Sequence, residues 1–138
     1  MYISNRATDD KAIEADGYNT DFSNASGIFS KPTVNNVTII GEGSANSAEA
    51  VRLRAGTQGI FNNIMITGYA EGFDLDDLDT GNGVVSDDLQ VTGVTFVDVI
   101  LNMKNDTTVT FTDADFYTAE GTATGTDYAT WGAGWTIE

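Results

Sequence analysis

One pattern is written twice in this chain. Val34-Asn35-Asn36-Val37-Thr38-Ile39-Ile40-Gly41 returns 27 residues later as Phe61-Asn62-Asn63-Ile64-Met65-Ile66-Thr67-Gly68. Each copy is followed by a second short alternating run, Ala50-Val51-Arg52-Leu53-Arg54 after the first and Gly72-Phe73-Asp74-Leu75-Asp76 after the second. Alternation of apolar and polar residues with a period of two is a strand signal. Self-similarity with a period in the twenties marks a repeat architecture, whose units bury their apolar faces only against one another.

The runs fall into two columns. In the first, residues 36–40, 63–67 and 93–97 superpose, with Val37/Ile39, Ile64/Ile66 and Val94/Phe96 on one face. In the second, Ile13-Glu14-Ala15-Asp16, Val51-Arg52-Leu53-Arg54, Phe73-Asp74-Leu75-Asp76 and Leu101-Asn102-Met103-Lys104 superpose. Two or more strands per repeat and 22 to 38 residues per turn predict an all-β parallel β-helix, a solenoid of about four coils. The absence of a Leu-x-x-Leu-x-Leu frame excludes a leucine-rich repeat, and the matched columns demote a β-sandwich. We read residues 1–138 as a single domain, with repeated coils over 12–104 and an irregular strand and cap over 105–138.

Stacking predicts which side chains meet. The outward positions of the second column form two ladders, Glu14-Arg52-Asp74-Asn102 and Asp16-Arg54-Asp76-Lys104, with Lys11 beside them. Opposite charges about 4.8 Å apart on neighbouring strands contribute a few tenths to about 1 kcal/mol each. Asn35/Asn62 and Asn36/Asn63 either form amide ladders or serve a turn backbone that Asn tolerates.

Fifteen Gly, many Asn, Asp, Thr and Ser, and the single Pro32 break the chain into short runs, so no helix is expected. Residues 18 to 31 read as a loop packed down by Phe22, Ile28 and Phe29. Val109-Thr110-Phe111-Thr112 reads as a further strand, with residues 113–117 bending away from it. Trp131 and Trp135 cover the last open coil or, on the functional alternative, form a sugar-stacking platform.

Composition removes whole classes of function. With 21 acidic and 6 basic residues, the net charge of -15 opposes nucleic acid and anionic membrane surfaces. Without Cys or His there is no thiol nucleophile, no Ser-His-Asp triad and no ordinary zinc site. No run reaches the length of a membrane span, and the start has no apolar signal core, so any export signal is expected outside this chain.

The phrases Lys11-Ala12-Ile13-Glu14-Ala15-Asp16, Ser30-Lys31-Pro32-Thr33-Val34-Asn35-Asn36-Val37-Thr38-Ile39-Ile40-Gly41 and Val51-Arg52-Leu53-Arg54-Ala55-Gly56-Thr57-Gln58-Gly59 carry a resemblance. With the closing segment from Trp131 to Trp135, the chain resembles the C-terminal part of a family of secreted bacterial proteins similar to pectate-lyase-type right-handed parallel β-helices. The resemblance implies an extracellular or cell-surface location. Members of that family carry further coils before the segment matching Ala12 to Gly17, which implies a fragment, a natural truncation, or a first coil covered by another subunit.

Polysaccharide lyases of this fold use clustered carboxylates to hold calcium against a uronate, and an Arg or Lys as the base. The nearest arrangement here is Asp74, Asp76 and Asp77 beside Arg52 and Arg54, but an Arg held between carboxylates is a poor proton acceptor. Asp74-x-Asp76-Asp77-x-Asp79 is the candidate metal set, although it lacks the twelfth-position Glu of an EF-hand loop. Asp87-Asp88 reads as a solvated turn, and Gly41-Glu42-Gly43 as a turn without a phosphate-loop context.

No catalytic residue is assigned, and no cofactor is required, with calcium the one candidate. The favoured function is a non-catalytic surface, adhesion or glycan-contact module that takes a polysaccharide. Two alternatives stand beside it: a self-associating solenoid that forms homo-oligomers through its open coil ends, and a polysaccharide lyase or hydrolase.

Overall fold

The computed structural model describes residues 1–6, 8–17 and 30–132, with the backbone alone at Trp131. The expected packing of Phe22, Ile28 and Phe29, and the role assigned to Trp135, lie outside these residues. The described part is mostly β, and its strands form one curled sheet in which every pairing is parallel. The strands are β1 (Tyr2–Ser4), β2 (Ile13–Asp16), β3 (Thr33–Ile40), β4 (Glu49–Arg54), β5 (Gly59–Asp76), β6 (Leu89–Asp106) and β7 (Tyr117–Glu120).

They stack in two ladders. β1, β3, the first halves of β5 and β6, and β7 make the first; β2, β4 and the second halves of β5 and β6 make the second. The register of the first column is the predicted one, with Val37↔Ile64↔Val94 and Ile39↔Ile66↔Phe96. In the second column the first three runs also meet as expected, Val51 facing Ile13 on one side and Phe73 on the other.

The fourth run is displaced by two residues. Met103, not Leu101, faces Phe73, so the outer ladders end in Lys104 and Asp106 rather than Asn102 and Lys104. β5 and β6 each run unbroken for 18 residues through both ladders, and their offset stays at 30 from Gly59↔Leu89 to Asp76↔Asp106. A slip of two leaves every side chain on the same face, so apolar alternation cannot detect it, whereas a continuous backbone forbids it.

A bend recurs at one place in every turn of the first ladder. Asn36, Asn63, Gly93 and Ala119, with φ of 56°, 58°, 72° and 53°, hold equivalent positions that the strand pairing skips. Asn is among the few L-residues that enter this left-handed region readily, and Gly93 enters it without a Cβ. The amide ladders form as well: Asn62 Nδ2 donates to Asn35 Oδ1 at 2.9 Å and Asn63 Nδ2 to Asn36 Oδ1 at 2.7 Å. Both readings of these Asn residues therefore hold.

The core fills the curl. Val37, Ile39, Ile64, Ile66 and Val94 from the first ladder meet Val51, Leu53, Phe73 and Leu75 from the second, all buried. Each such side chain contributes about 1.5–3 kcal/mol on burial. Phe116 and Tyr117 extend the core, with Phe116 edge-on to Phe73 at 5.1 Å between ring centres.

Three expectations for the irregular parts are overturned. A helix, α1 (Leu78–Val85), follows β5. Gly81 is a packing device: a Cβ there would lie 2.7 Å from Val109 Cγ2. Asp77 caps the helix by accepting from Thr80 N–H at 2.9 Å. Val109 to Thr112 is not a strand, because Asp115 reaches back to Thr112 N–H at 2.6 Å and starts the single turn α2 (Asp113–Phe116). β7 then forms where a bend was expected, beginning at Tyr117.

Residues 121–127 leave β7 as a strap across the first ladder. Ala123 O accepts from Thr95 Oγ1 at 2.7 Å, Asn63 Oδ1 accepts from Thr124 N–H at 2.7 Å, and Thr38 Oγ1 accepts from Thr126 N–H at 2.8 Å. The N-terminal ammonium closes the series on Thr126 Oγ1 at 3.1 Å. The strap thus crosses β6, β5 and β3 in turn and ends beside β1. Gly125 makes this close approach possible, with φ +66° and a hypothetical Cβ 3.0 Å from both Met65 Cβ and Val37 O. Gly125→Ala is expected to lower stability by about 1–3 kcal/mol through strain and overlap. Urea denaturation checks this, and an unchanged midpoint would mean that the strap adds nothing to stability.

Candidate functional site

The outer face of the second ladder gathers four of the six cationic side chains, Lys11, Arg52, Arg54 and Lys104, among carboxylates. The ladder Glu14, Arg52, Asp74, Lys104 alternates in sign at every step in the observed register. Two of the ion pairs on this face, Arg52 with Asp76 and Arg54 with Glu14, run diagonally, whereas Arg54 with Asp16 follows the direct register and Arg52 with Glu49 stays within β4. Arg52 binds Asp76 at 2.5 Å and approaches Glu49 at 3.5 Å, while Arg54 binds Glu14 at 2.7 Å and Asp16 at 2.6 Å. A long Arg side chain spans the diagonal between neighbouring strands as readily as the direct step. Asn102, placed in the ladder by the sequence, instead donates to Glu120 Oε1 at 3.0 Å.

Three carboxylates that the sequence reading passed over join this face. Glu49, Glu71 and Asp74 each offer an oxygen within 4.8 Å of the others, as do Asp74, Asp76 and Asp106. Glu49 escaped notice because strict alternation puts it on the core side with Val51 and Leu53. Ala50 and Val51 are both buried, so the alternation slips at the corner and Glu49 joins Arg52 outside. Glu71 stacks directly on Glu49 and is carried with it. Asp106 becomes visible only once the 30-residue offset is known.

The predicted metal set is divided. Asp74 and Asp76 belong to the cluster, but Asp77 does not: its oxygens accept from Thr80 N–H and from Ala55 N–H. Asp79 lies in the first turn of α1. Asp88 pairs with Lys31 at 2.8 Å, which holds its carboxyl below the ordinary carboxylate range.

Asp74 is the unusual member. It is 3% exposed, and its Oδ1 has no hydrogen-bond partner. Burial, then the hydrogen bond with Glu49, then the charge of Asp76 push its pKa up to about 7, against the opposing pull of Lys104. Lys104 stands 3.8 Å from Asp74, 3.7 Å from Glu71 and 3.1 Å from Asp106. Lys11 binds Glu49 at 3.1 Å. The cations move the other way: Asp76 raises Arg52, Asp106 raises Lys104 and Asp10 raises Lys11. The cluster can hold a proton or a cation, while its basic groups are turned away from accepting protons.

A second region lies under the strap. Asn35, Asn36, Asn63, Thr126, Asp127 and Thr130 line part of a cleft of about 680 Å³. The turn α3 (Tyr128–Trp131) borders it, capped by Asp127, which accepts from Thr130 N–H at 3.2 Å. Tyr128 stacks on Tyr2 with ring centres 4.3 Å apart. The turn α3 therefore sits beside the first strand. The Trp131 side chain and Trp135 are outside the described residues.

Asp74 makes stability depend on pH. In the unfolded chain its pKa is about 3.9, so the folded state holds the proton more tightly. Its contribution is fully present below about pH 4 and is lost as pH rises through about 7. Asp74→Asn cannot ionise and should gain on the wild type between pH 4 and 8 by on the order of 2–4 kcal/mol. Urea unfolding of both proteins at the two pH values checks this; a difference that stays flat with pH would mean that folding leaves the Asp74 pKa unshifted.

No curated protein and no solved structure matches this chain. A family model described as a pectate-lyase-like beta helix domain matches residues 1–136. Parallel ladders with a shared core are what such a domain requires, and the chain belongs to this pectate-lyase-like β-helix family.

Proposed function

We propose that this chain is a non-catalytic module working outside the cell, a right-handed stack of about four coils that contacts a glycan through the cleft under the strap. The lining of that cleft carries the reading. Its Asn and Thr side chains supply amide and hydroxyl groups, which donate and accept as sugar hydroxyls do. With a net charge of -15, the protein as a whole repels a uronate chain, so a neutral glycan is the natural ligand. The raised pKa values of Arg52, Lys104 and Lys11 speak against an elimination that needs one of them as base. On an array of immobilised glycans the protein should retain a neutral saccharide, and Asn35→Ala should weaken retention roughly five- to tenfold, the equivalent of one hydrogen bond of about 1 kcal/mol. Failure to retain any neutral glycan, or turnover of a uronate polymer, would overturn the reading.

One observation favours a second role, cation binding. Asp74 Oδ1 is buried without a partner in the cluster with Glu49 and Glu71, and hard oxygen donors of this kind suit calcium. Glu49, Glu71 and Asp74 would hold the ion, in place of the Asp77 and Asp79 expected from the sequence. Calorimetric titration with calcium chloride should give heat that Asp74→Asn removes. No heat and no shift in melting temperature would dismiss the role.

A further inference from the structure

The two ends of the stack differ in shape, and the difference is complementary. At one end β7 pairs with Val91, Thr92 and Val94 only, so among the described residues the edge of β6 from Thr95 to Asp106 carries no strand. At the other end β1 pairs with Thr38 to Ile40 and β2 with Val51 to Arg54, leaving the start of β3 bare among the described residues. The ladder registers make Thr38 equivalent to Thr95, and Val51 equivalent to Met103. Glu120 lies level with Val94, and Tyr2 lies level with Thr38. β7 therefore stops one residue short of the level at which β1 begins.

From this step we infer that a second copy of the chain seats on the bare edge of β6, head to tail. The inference rests on the stacked-coil reading above and is independent of the glycan and cation roles. β1 of the second copy takes Thr95 to Val97, its β2 takes Met103 to Asp106, and its β3 takes β7. The columns through these residues then contain the same number of strands, and the backbone N–H and C=O groups of Thr95 to Val97 and of Met103 to Asp106 that face the open end find partners, with Asp98 to Asn102 left between the two seats.

Two further observations point to the same occupant. The bare edge exposes Val97, Ile100 and Leu101, with Ile100 73% accessible, half of the large exposed apolar side chains among the described residues. The outer ladder Glu14, Arg52, Asp74, Lys104 ends in opposite signs, so Lys104 would meet Glu14 of the second copy and continue the alternation. Asp106 would face Asp16, the like-charge step, and added salt should relieve it. Because the contact joins unlike surfaces, it does not close on itself and predicts a series of sizes rather than a dimer.

Sedimentation of the intact chain with two variants tests this. Ile100→Asp puts a charge on the bare edge at an exposed position. Ser4→Pro blocks the other end and spares the bonds to β3, because those run from Asn5 N–H to Ile40 O and from Thr38 N–H to Met1 O. Circular dichroism confirms that each variant is folded. The wild type should grow with concentration beyond its single-chain mass of 14.7 kDa, while each variant alone should stay at that mass. An equal mixture should reach twice the mass and stop, since each variant keeps one working end. A wild type that stays single at every concentration overturns the inference and leaves further coils of a longer chain as the occupant of these edges. Self-association of Ser4→Pro alone overturns it as well, because that outcome requires like ends to pair.

Discussion

Parallel backbone hydrogen bonding between β5 and β6 holds residues 30 places apart in step over the whole length of both strands. The rest of the structure depends on that constancy. A parallel ladder has no hairpin to set its register, so register must come from side chains and from backbone continuity. Here the recurring left-handed position at Asn36, Asn63, Gly93 and Ala119 fixes where each turn of the first ladder bends. Residues before and after the bend are then carried into place together, and the core residues of both ladders converge inside the curl.

The same register assembles the acidic face. Glu71 lies on Glu49 because the backbone puts it there, and two stacked carboxylates are tolerable only beside Lys11, Arg52 and Lys104. Asp74 is enclosed by this arrangement, and desolvation outweighs the attraction of a single Lys104 at 3.8 Å. A pKa near neutrality is therefore a consequence of stacking rather than of any local motif. The cations on the face are held by carboxylates in an ion-pair network.

The strap ties ends that the ladders leave apart. Thr95, Asn63 and Thr38 belong to successive layers, and one extended segment binds all three before reaching the N-terminal ammonium. It also walls the cleft that the proposed glycan contact uses. Stability of the first layer and shape of the cleft are thereby coupled through the same few hydrogen bonds, which touch β6 at Thr95.

Much of this was legible in the residues alone. The doubled Asn-Asn-apolar pattern determined a parallel repeat, the first-column register and the alignment of the first three runs of the second column, and it offered the amide ladders as one of two readings, because period-two alternation and residue type act locally; Leu101, expected in the core, is exposed. The tertiary structure decided what locality cannot encode. It set the two-residue displacement of the fourth run, which preserves facing and so leaves no mark on the pattern. It turned Glu49 outward at a corner where two apolar residues bury in succession. It made a helix of a Gly-rich segment by pressing Gly81 against Val109, and drew the C-terminal segment back to the first strand. Alternation specifies which side of a strand faces the core, but only the packed neighbours and the continuous backbone specify which residue of the next turn it meets.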